Sequence, residues 1–447
     1  MVFATDSALG ASSKPAGAPA SSTSKSGDVS QGRTSSQPSS RVKVAAPRNS
    51  EEITVVGGGS TRQVMAVTAK DQKYYPPGSS PLRMINQLPG VTFQSADPLG
   101  MAEWGQSLYV RGFAQSQLGF TLDDLPLGDM SYNNYNGLNI GRAIISENIS
   151  RVNVSQGAGA VNVASSSNLG GAVQFYSVEP TEKQGGTVAQ TFGSHNSYRT
   201  FARYNSGTIN SIGTRVMLSY AHSQGQKWNG AGGTNYQDQI NAKIFQPIGE
   251  KVELTAYFDW SDLKNVDYQD LSKEVVKKLG QRVDNYYPDY ATAYNAAQGI
   301  FTHGEDTTSD PYDVSYYDSA TLRKDYLGGL SATVHVASNI TWKTTFYGHG
   351  NWSFGNWSDP FQSSPNGAPM AQRGTEMTQR RLGGMSTVHV ALGRNQVEAG
   401  LWYENSRFTQ DRYFYEDPLL SEGIAPKAEK VPSGRFAHPW GYDFNTN

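Results

Sequence analysis

The chain contains no cysteine, which excludes disulfide bonds and metal sites built from thiolates. It also lacks any apolar run of about 18 residues, so the sequence predicts no transmembrane helix. Its formal net charge is −2 and no basic stripe is visible, so a nucleic-acid partner is not expected. The mean hydropathy of −0.53 is typical of a soluble protein. It is equally compatible with a membrane β-barrel, because barrel strands need apolar residues only at alternate positions.

Catalytic motifs are missing as well. The seven histidines show no His-Glu-x-x-His spacing, and no phosphate-binding glycine loop followed by lysine occurs. A Ser-x-x-Lys match at Ser22 falls in a low-complexity segment, where such a match is expected by chance. We therefore expect neither an enzyme nor a bound cofactor. The first residues, MVFATDSALG, lack the basic and apolar regions of a signal peptide, so an exported form would require a signal absent from this sequence.

Composition divides the chain into segments. Residues 1–50 are mostly Ser, Ala, Gly, Pro, Thr and Gln, so they cannot bury enough apolar surface to fold and are predicted to be a disordered leader. A short strand-forming stretch, EEITVV, follows at 51–56, and the glycines at 57–59 predict a flexible hinge. Residues 60–182 then form a denser region. Its many short strands and few short helices predict a compact α+β domain.

One helix of this dense region is marked at both ends. Ser80 is a candidate N-cap with Pro81 at the first helical position, and Pro89 and Gly90 end the helix. The stretches VTF, SLYVRGF, GFTLDDLPLG, ISRVNVSQG and GGAVQFYSV are predicted to be short strands.

The pattern changes from residue 185 to 447, where longer segments alternate between apolar and polar residues. In EKVELTAYFDW, for example, Leu254, Ala256 and Phe258 share one face, while Thr255, Tyr257 and Asp259 share the other. We count about eight or nine such strands by this period of two. The turns PIGE and VASN are short, whereas 261–320 and 351–374 are predicted to be long loops. Short turns on one rim and long loops on the other are typical of an outer-membrane barrel, with Tyr220, Trp260 and Trp402 as an aromatic girdle. A soluble β-sandwich is the alternative, because its strands also alternate.

Four motifs occur in order between residues 51 and 180. They are EEITVV, PLRMINQLPGV, LYVRGF followed by FTLDDLPLG, and ISRVNVSQGAGAVNVASSSNLGGAVQFYSVEP. Their order and spacing resemble the energy-coupling box and plug of TonB-dependent outer-membrane receptors, and the resemblance covers nearly all of residues 51–447. It implies a mainly β fold: an α+β plug domain followed by an antiparallel transmembrane β-barrel with 22 strands. Because about eight or nine strands fall short of that number, we expect the sequence to be truncated within the barrel.

The resemblance also implies roles for individual residues. The box residues Glu51, Glu52, Ile53, Thr54, Val55 and Val56 would contact TonB by adding a strand to its sheet. The matching plug-motif positions are Pro89, Gly90, Arg111, Gly112, Asp123, Pro126, Arg151, Gly157, Gly170 and Gly171.

Several positions depart from the family's pattern. Asp124 stands in place of a glycine, Asn153 replaces an acid, and Gln156 and Ala158 replace an arginine and a proline. In the family these charges help to pair the plug with the barrel. Their partial loss puts a charged contact between plug and wall in doubt and leaves Arg111 as the best candidate for it.

The implied function is energy-coupled uptake across a Gram-negative outer membrane, with TonB and its inner-membrane complex as partners and outer-membrane lipid around the barrel. A ferric siderophore is the leading ligand, and a sugar, cobalamin or another metal complex stays open, as does a passive channel. Aromatic residues at plug apices and in long loops are the candidate ligand contacts: Trp104, Tyr132, Tyr135, Tyr286, Tyr290, Tyr294, Trp352 and Trp357. The alternative role for such aromatics is packing within their own loops.

Overall fold

A computed structural model of the chain describes residues 64–130, 137–157, 163–230 and 232–447. The predicted leader, the box at 51–56 and the hinge at 57–59 lie outside these described residues, as do Tyr132 and Tyr135. The predictions for those segments therefore stay predictions. Two parts make up the described structure. The plug runs from residue 64 to 182, and the wall is the large antiparallel sheet that follows it.

The plug is built on a five-stranded sheet. Its strands are β1 Val64–Thr68, β5 Gly119–Leu122, β6 Leu125–Pro126, β7 Ile149–Gln156 and β8 Gly171–Ser177. Their order across the sheet is β1-β7-β8-β5-β6. Strands β5 and β8 pair in parallel and the other neighbours pair antiparallel. A second sheet has three strands: β2 Val91–Ser95, β3 Gln106–Val110 and β4 Phe113–Ala114.

Short helical turns connect these strands. The α-helices of the plug are α1 Ala69–Gln72, α2 Pro81–Met84 and α3 Ile140–Ala143, and its 3-10 turns are Ile85–Gln87, Glu103–Gly105, Gln115–Gln117 and Ser146–Asn148. The predicted start of α2 is confirmed, because the Ser80 hydroxyl accepts a hydrogen bond from the Leu82 N–H at 3.3 Å. The helix does not continue uniformly to Leu88, since its second half tightens into the 3-10 turn. Gly90 follows with φ +76°, a conformation that favours glycine.

Alternating apolar residues of the plug strands form its core. Val152 and Val154 on β7 pack with Val173 and Phe175 on β8, and all four side chains are fully buried. Residues of the wall contribute little to this core. Among the described residues, buried Tyr257, Leu327 and Tyr347 join it from that side, and partly buried Met385 packs against it. The plug is thus stabilised by apolar burial of its own residues.

The wall is a ten-stranded meander in which every strand pairs antiparallel with its neighbour in sequence. Its strands are β9 Gln184–Phe192, β10 Tyr198–Thr208, β11 Arg215–Gln226, β12 Thr234–Ile248, β13 Val252–Val266, β14 Ser319–Ala337, β15 Ile340–Asp359, β16 Ala371–Leu392, β17 Asn395–Glu416 and β18 Arg435–Thr446. The predicted count of about eight or nine strands was low. Strands rich in polar and aromatic residues, such as β18, carry a weak apolar signal, and cross-strand hydrogen bonds hold them extended.

The two faces of the wall differ as the alternation predicts. On β13, Tyr257 and Asp259 are buried toward the plug, whereas Phe258 on the opposite face is 43% exposed. The outer face carries further exposed apolar residues, among them Phe346, Leu382 and Leu401. One face of the sheet is therefore apolar and open, and the other is polar and faces the plug.

Connections differ between the two rims. One rim has the tight turns 249–251, 338–339 and 393–394, and the other has the loops 267–318, 360–370 and 417–434. The first long loop contains α4 Lys273–Leu279, α5 Tyr290–Ala297 and the 3-10 turns Glu305–Thr307 and Pro311–Val314.

Both predicted long loops were drawn too wide. The loop predicted at 261–320 begins only at 267, because β13 continues to Val266. The loop predicted at 351–374 shrinks to 360–370, so Trp352 and Trp357 lie on strand β15. The ends of these strands are polar and aromatic, and the apolar alternation that reveals a strand fades there. None of the described helices is long and apolar enough to cross a membrane.

Candidate functional site

The interface between plug and wall is held by buried charges. Arg142 on α3 is 1% exposed, and its guanidinium reaches Glu103 of the plug at 2.7 Å and Asp325 of the wall. Arg323 of the wall lies 3.0 Å from the other oxygen of Glu103. Plug and wall thus each supply one cation and one anion. We call these four residues the charge cluster.

Local structure explains how Arg142 is placed. The Asn139 side chain caps α3 by accepting the Gly141 N–H at 2.9 Å, which starts the short helix that carries Arg142 inward. Burial alone would lower the pKa of Arg142, but the carboxylates of Asp325 and Glu103 raise it above its ordinary value. The side chain therefore stays charged. On the wall, His349 lies 3.1 Å from the second oxygen of Asp325 and extends the cluster.

A second contact involves the turn between β5 and β6. Asp123 and Asp124 both have positive φ, +49° and +69°, as a tight two-residue hairpin turn requires. Lys243 of the wall lies 3.1 Å from Asp123 and 2.7 Å from Glu179, and Lys343 of the wall pairs with Asp124. The aspartate that replaces a glycine at 124 thereby gains a partner on the wall.

Two more contacts complete this side of the interface. Arg199 of the wall binds both carboxylate oxygens of Glu147, at 2.8 and 2.6 Å. Burial alone would raise the pKa of Glu147, but hydrogen bonds and charge from Arg199 lower it below its ordinary value. Arg381 of the wall donates to the Pro126 carbonyl at 3.0 Å.

The doubt about charged contacts between plug and wall is thus corrected. The structure has such contacts, but they use Glu103, Arg142 and Glu147 in addition to Asp123 and Asp124. Sequence reasoning missed Glu103, Arg142 and Glu147 because each is a single charge in a helical turn of three or four residues, too short to show a periodic pattern. The wall partners left a signal, since Lys243, Arg323 and Asp325 are charges within strands, on the face opposite the apolar one.

Several of the predicted plug-motif residues occupy tight turns, whereas Arg151 lies on β7 and Pro126 on β6. Arg111 and Gly112, with φ +50° and +85°, join β3 to β4, and the Arg111 N–H donates to the Gly90 carbonyl at 2.7 Å. Gly170 and Gly171 leave no room for side chains: a Cβ would lie 2.3 Å from Phe113 or 1.9 Å from the Ser155 oxygen. Gly157 has φ +82°. Arg151 stacks on the Tyr176 ring at 4.4 Å.

A cavity of about 260 Å³ opens between the plug and the first strands of the wall. The plug supplies its loop at 97–101, and the wall supplies the turn between β9 and β10 together with Trp228, Tyr236 and Tyr268. The Trp228 indole N–H donates to the plug carbonyl of Ala96 at 2.7 Å, and this hydrogen bond joins the two sides of the cavity. Burial raises the pKa of Tyr268 to about 12, so its hydroxyl is protonated at neutral pH.

The plug side of this cavity is rigid. The Asp97 carboxylate accepts hydrogen bonds from the N–H groups of Leu99 and Ala102, at 3.0 and 2.8 Å, and from the Ser95 hydroxyl at 2.8 Å. The loop is therefore preformed. The cavity is slightly smaller than the roughly 300–1,000 Å³ typical of pockets for drug-sized ligands, so it suits one part of a larger ligand.

Two of the predicted ligand residues meet at a second point. Trp104 of the plug and Trp357 of β15 pack edge to face with ring centroids 5.5 Å apart, and Arg373 covers Trp357 at 4.3 Å. Trp352 lies on the outer face of β15, and its indole N–H donates to Glu376 at 2.8 Å.

The predicted tyrosine stripe packs within the loops. Tyr290 and Tyr294 are 1% and 8% exposed, in a small core with Tyr317, Met370 and Ala425. Tyr286 packs against this core and lies 5.4 Å from the His303 ring. The core joins the loops 267–318, 360–370 and 417–434. Ligand contact by any of these aromatic residues stays a prediction.

Comparison with known proteins identifies the two parts. Residues 58–172 match the TonB-dependent receptor plug domain. The plug is thus a TonB-dependent receptor plug domain, and the sheet that follows it has the fold of part of the barrel in solved receptors. A search of curated proteins finds no match for the chain.

Solved structures show the same fold for plug and barrel together. The unliganded ferric citrate transporter FecA is 16% identical with a TM-score of 0.58, over 81% of this chain and 50% of that one. The ferric yersiniabactin uptake receptor FyuA from Yersinia pestis is 13% identical with a TM-score of 0.56, over 79% and 50%. The pyoverdine receptor FpvA from Pseudomonas aeruginosa PAO1 is 14% identical with a TM-score of 0.56, over 86% and 52%. The chain spans about half the length of these structures.

Proposed function

We propose that the protein is an outer-membrane receptor that takes up a scarce ligand with energy supplied through TonB. The observation that carries this proposal is a TonB-dependent receptor plug packed against an antiparallel wall whose outer face is apolar. The outer membrane has no nucleotide supply, so energy must arrive mechanically from a partner in the inner membrane. In this orientation the long-loop rim faces the outside and the tight turns face the periplasm.

The interface chemistry supports a plug that moves as a unit. Its core consists mainly of its own apolar residues, whereas most of its contacts with the wall are ion pairs and hydrogen bonds. A few apolar contacts accompany them, such as Ile145 with Phe201 and Ala221 of the wall. Charged pairs can be exchanged for water as the plug shifts, while an apolar core resists opening because exposed apolar surface is costly. A pull on the plug therefore breaks the polar contacts before it unfolds the core.

We further propose that the ligand is an iron–siderophore complex. The related structures include receptors described as taking up ferric yersiniabactin or ferric catecholate. The ligand would enter from the long-loop rim and contact the cavity beside Asp97 and Trp228, with Trp104 and Trp357 as a second contact. Aromatic side chains can stack on the flat groups of a siderophore, whose iron-binding groups are often carried on rings or planar amides.

Proline substitution in the box tests the energy coupling. Ile53→Pro or Val55→Pro removes a ladder donor and fixes φ, so strand addition to TonB should fail. We expect uptake of a radiolabelled ferric siderophore to be lost while its binding at the cell surface persists. The probes are a ferric catecholate, a ferric hydroxamate and ferric citrate, each assayed in cells lacking other receptors.

Ala45→Pro in the leader is the matched control and should leave uptake normal. Uptake that persists in the Ile53→Pro variant would contradict energy coupling and favour a passive channel. Fractionation tests the location separately. A chain recovered in the soluble periplasm would contradict the barrel and favour a soluble β-sandwich.

A further inference from the structure

One row of residues crosses the outer face of the wall about midway along its longer strands. Strand register places Tyr220, Ile240, Trp260 and Tyr326 side by side. The same row continues through Gly350 to Arg380 and Arg407. Opposite residues in antiparallel strands point to the same face, so these side chains are neighbours. The row is aromatic over β11, β13 and β14, has the aliphatic Ile240 on β12, and is basic over β16 and β17.

The row marks the upper limit of the apolar surface. On β16, exposed apolar residues run from Leu392 at the tight turn to Leu382, two residues below Arg380. Ten residues of strand span about 33 Å, which at a tilt of about 40° gives a height of about 25 Å. That height equals the apolar band of outer-membrane barrels. Arg380 therefore stands at the level of the lipid head groups, where aromatic girdle residues are also found.

Two cations face each other at this level. Arg380 and Arg407 lie directly opposite on β16 and β17, and like charges in that position repel each other. Arg407 is paired with Asp443 at 2.6 Å, but both side chains are more than half exposed. Within the described part of the chain, no hydrogen bond or ion pair holds the exposed Arg380 side chain. An anion placed between the two arginines would relieve their repulsion.

The neighbouring surface leaves room for such an anion. Gly350 separates Arg380 from Tyr326, and a Cβ built on Gly350 would meet no atom within 4 Å. One row higher, Lys324 is half exposed and lies 3.6 Å from Asp262, a loose pair. The residues beside Arg380 in sequence point the other way, since Gln379 and Arg381 are buried toward the plug. We call the space over Gly350, between Tyr326 and the arginine pair, the slot. It opens only on the outer face of the wall, away from the plug.

We propose that this slot binds a phosphate group of lipopolysaccharide, the phosphorylated glycolipid of the outer leaflet. The arginine pair would hold the phosphate by charge-assisted hydrogen bonds, and the sugar backbone would lie over Gly350 against Tyr326. The lipid source follows from the position, because the slot sits at the end of the apolar band on the face turned away from the plug. The inference uses the outward orientation of the long-loop rim from the proposed function, but it does not depend on which ligand is transported.

Binding of lipid A to the purified receptor tests the proposal. The receptor, extracted from outer membranes and stripped of lipid in detergent, is titrated with bis-phosphorylated lipid A and followed by native mass spectrometry. Each basic residue near an anionic surface contributes about 1 kcal/mol, so Arg380→Gln should weaken binding by about fivefold. Arg380→Gln with Arg407→Gln should weaken it by about 30-fold.

The matched control is Arg394→Gln, which removes an exposed arginine from the tight turn at the opposite rim. It should bind lipid A like the parent protein. Equal affinity of the Arg380 variants and the parent would overturn the proposal, as would an equal loss in Arg394→Gln. Inorganic phosphate that competes with lipid A at similar concentration would overturn the lipid assignment and leave a simple anion site. Unchanged melting of the variants in detergent would confirm that a loss of binding is local.

Discussion

The plug core and the plug–wall interface are both buried, yet they are stabilised by opposite chemistry. The core packs apolar residues such as Val152, Val173 and Phe175 with no charge among them. The interface instead buries Arg142, Arg323 and Asp325, all at most 2% exposed. Buried ion pairs offset the cost of removing charge from water but add little beyond that. The difference suggests a plug that is stable in itself and docked reversibly.

The largest effect should come from the core. Phe175→Ala removes a fully buried ring and leaves a cavity, so it should destabilise the plug by about 4 kcal/mol. Protease cleavage of the purified receptor, measured against denaturant concentration, reports the loss. Tyr74→Ala, at a plug site that is 85% exposed, is the control and should have little effect. Equal cleavage of the two variants would mean that the core does not hold the plug together.

Removal of Arg142 should cost about 3 kcal/mol, because buried Asp325 would lose its arginine and Glu103 would keep only Arg323. Arg142→Leu should loosen docking while the plug core keeps its protection, which hydrogen exchange of β7 and β8 can show. Lys73→Leu removes an exposed plug cation and is the control. Adding Glu103→Gln should restore part of the loss, since it removes the excess negative charge that Arg142→Leu leaves in the charge cluster. If Arg142→Leu alone lowered the hydrogen-exchange protection of β7 and β8, the stability of the plug core would depend on its docking to the wall.

Acid should weaken the interface more than the core. The pKa of Glu147 is lower in the folded state than its ordinary value of 4.5, so its pairing with Arg199 stabilises docking above that value. This contribution is lost as the pH falls through the lowered pKa. We expect the protection factors of interface amides, corrected for the slower intrinsic exchange in acid, to fall as the pH drops below 4.5, with those of the core unchanged. In the Glu147→Gln variant, the share of this acid response that comes from the Glu147–Arg199 pair should vanish. An identical acid response in that variant would show that other carboxylates dominate.

The smallest effect is expected at the edge of the interface. Lys343 and Asp124 form an ion pair whose side chains are 31% and 40% exposed, and such exposed pairs contribute about 0–1 kcal/mol. Lys343→Met should therefore change plug docking by less than about 1 kcal/mol. Protease cleavage measured against denaturant concentration, run on Lys343→Met and Arg142→Leu side by side, gives the difference in stability between the two variants. A loss as large as that of Arg142→Leu would mean that burial does not rank the contacts of this interface.

Local patterns in the sequence were sufficient for much of the fold. The period of two placed Tyr257 and Asp259 on one face of β13 and Phe258 on the other, as the structure confirms. The N-cap at Ser80 and the stop at Gly90 were read from short-range rules that the structure also obeys. The ends of β13 and β15 were misplaced because their polar residues continue the strands by hydrogen bonds alone.

The charge cluster could not be found in this way. Glu103 and Arg142 are 39 residues apart, and Arg142 and Asp325 are 183 apart, so no spacing rule connects them. Trp104 was predicted as a ligand contact at a plug apex, and Trp357 as one in a long loop. Their packing against each other depends on how the plug sits within the wall.

The sequence by itself determined the order of parts: a plug with its turns, then alternating strands with one apolar face. These features depend on backbone geometry and local periodicity, which a few neighbouring residues fix. Only the tertiary structure decided which charges meet across the interface and which arginines stand together at the end of the apolar band. Such contacts join strands far apart in the chain, and their register is set by the packing of the whole sheet.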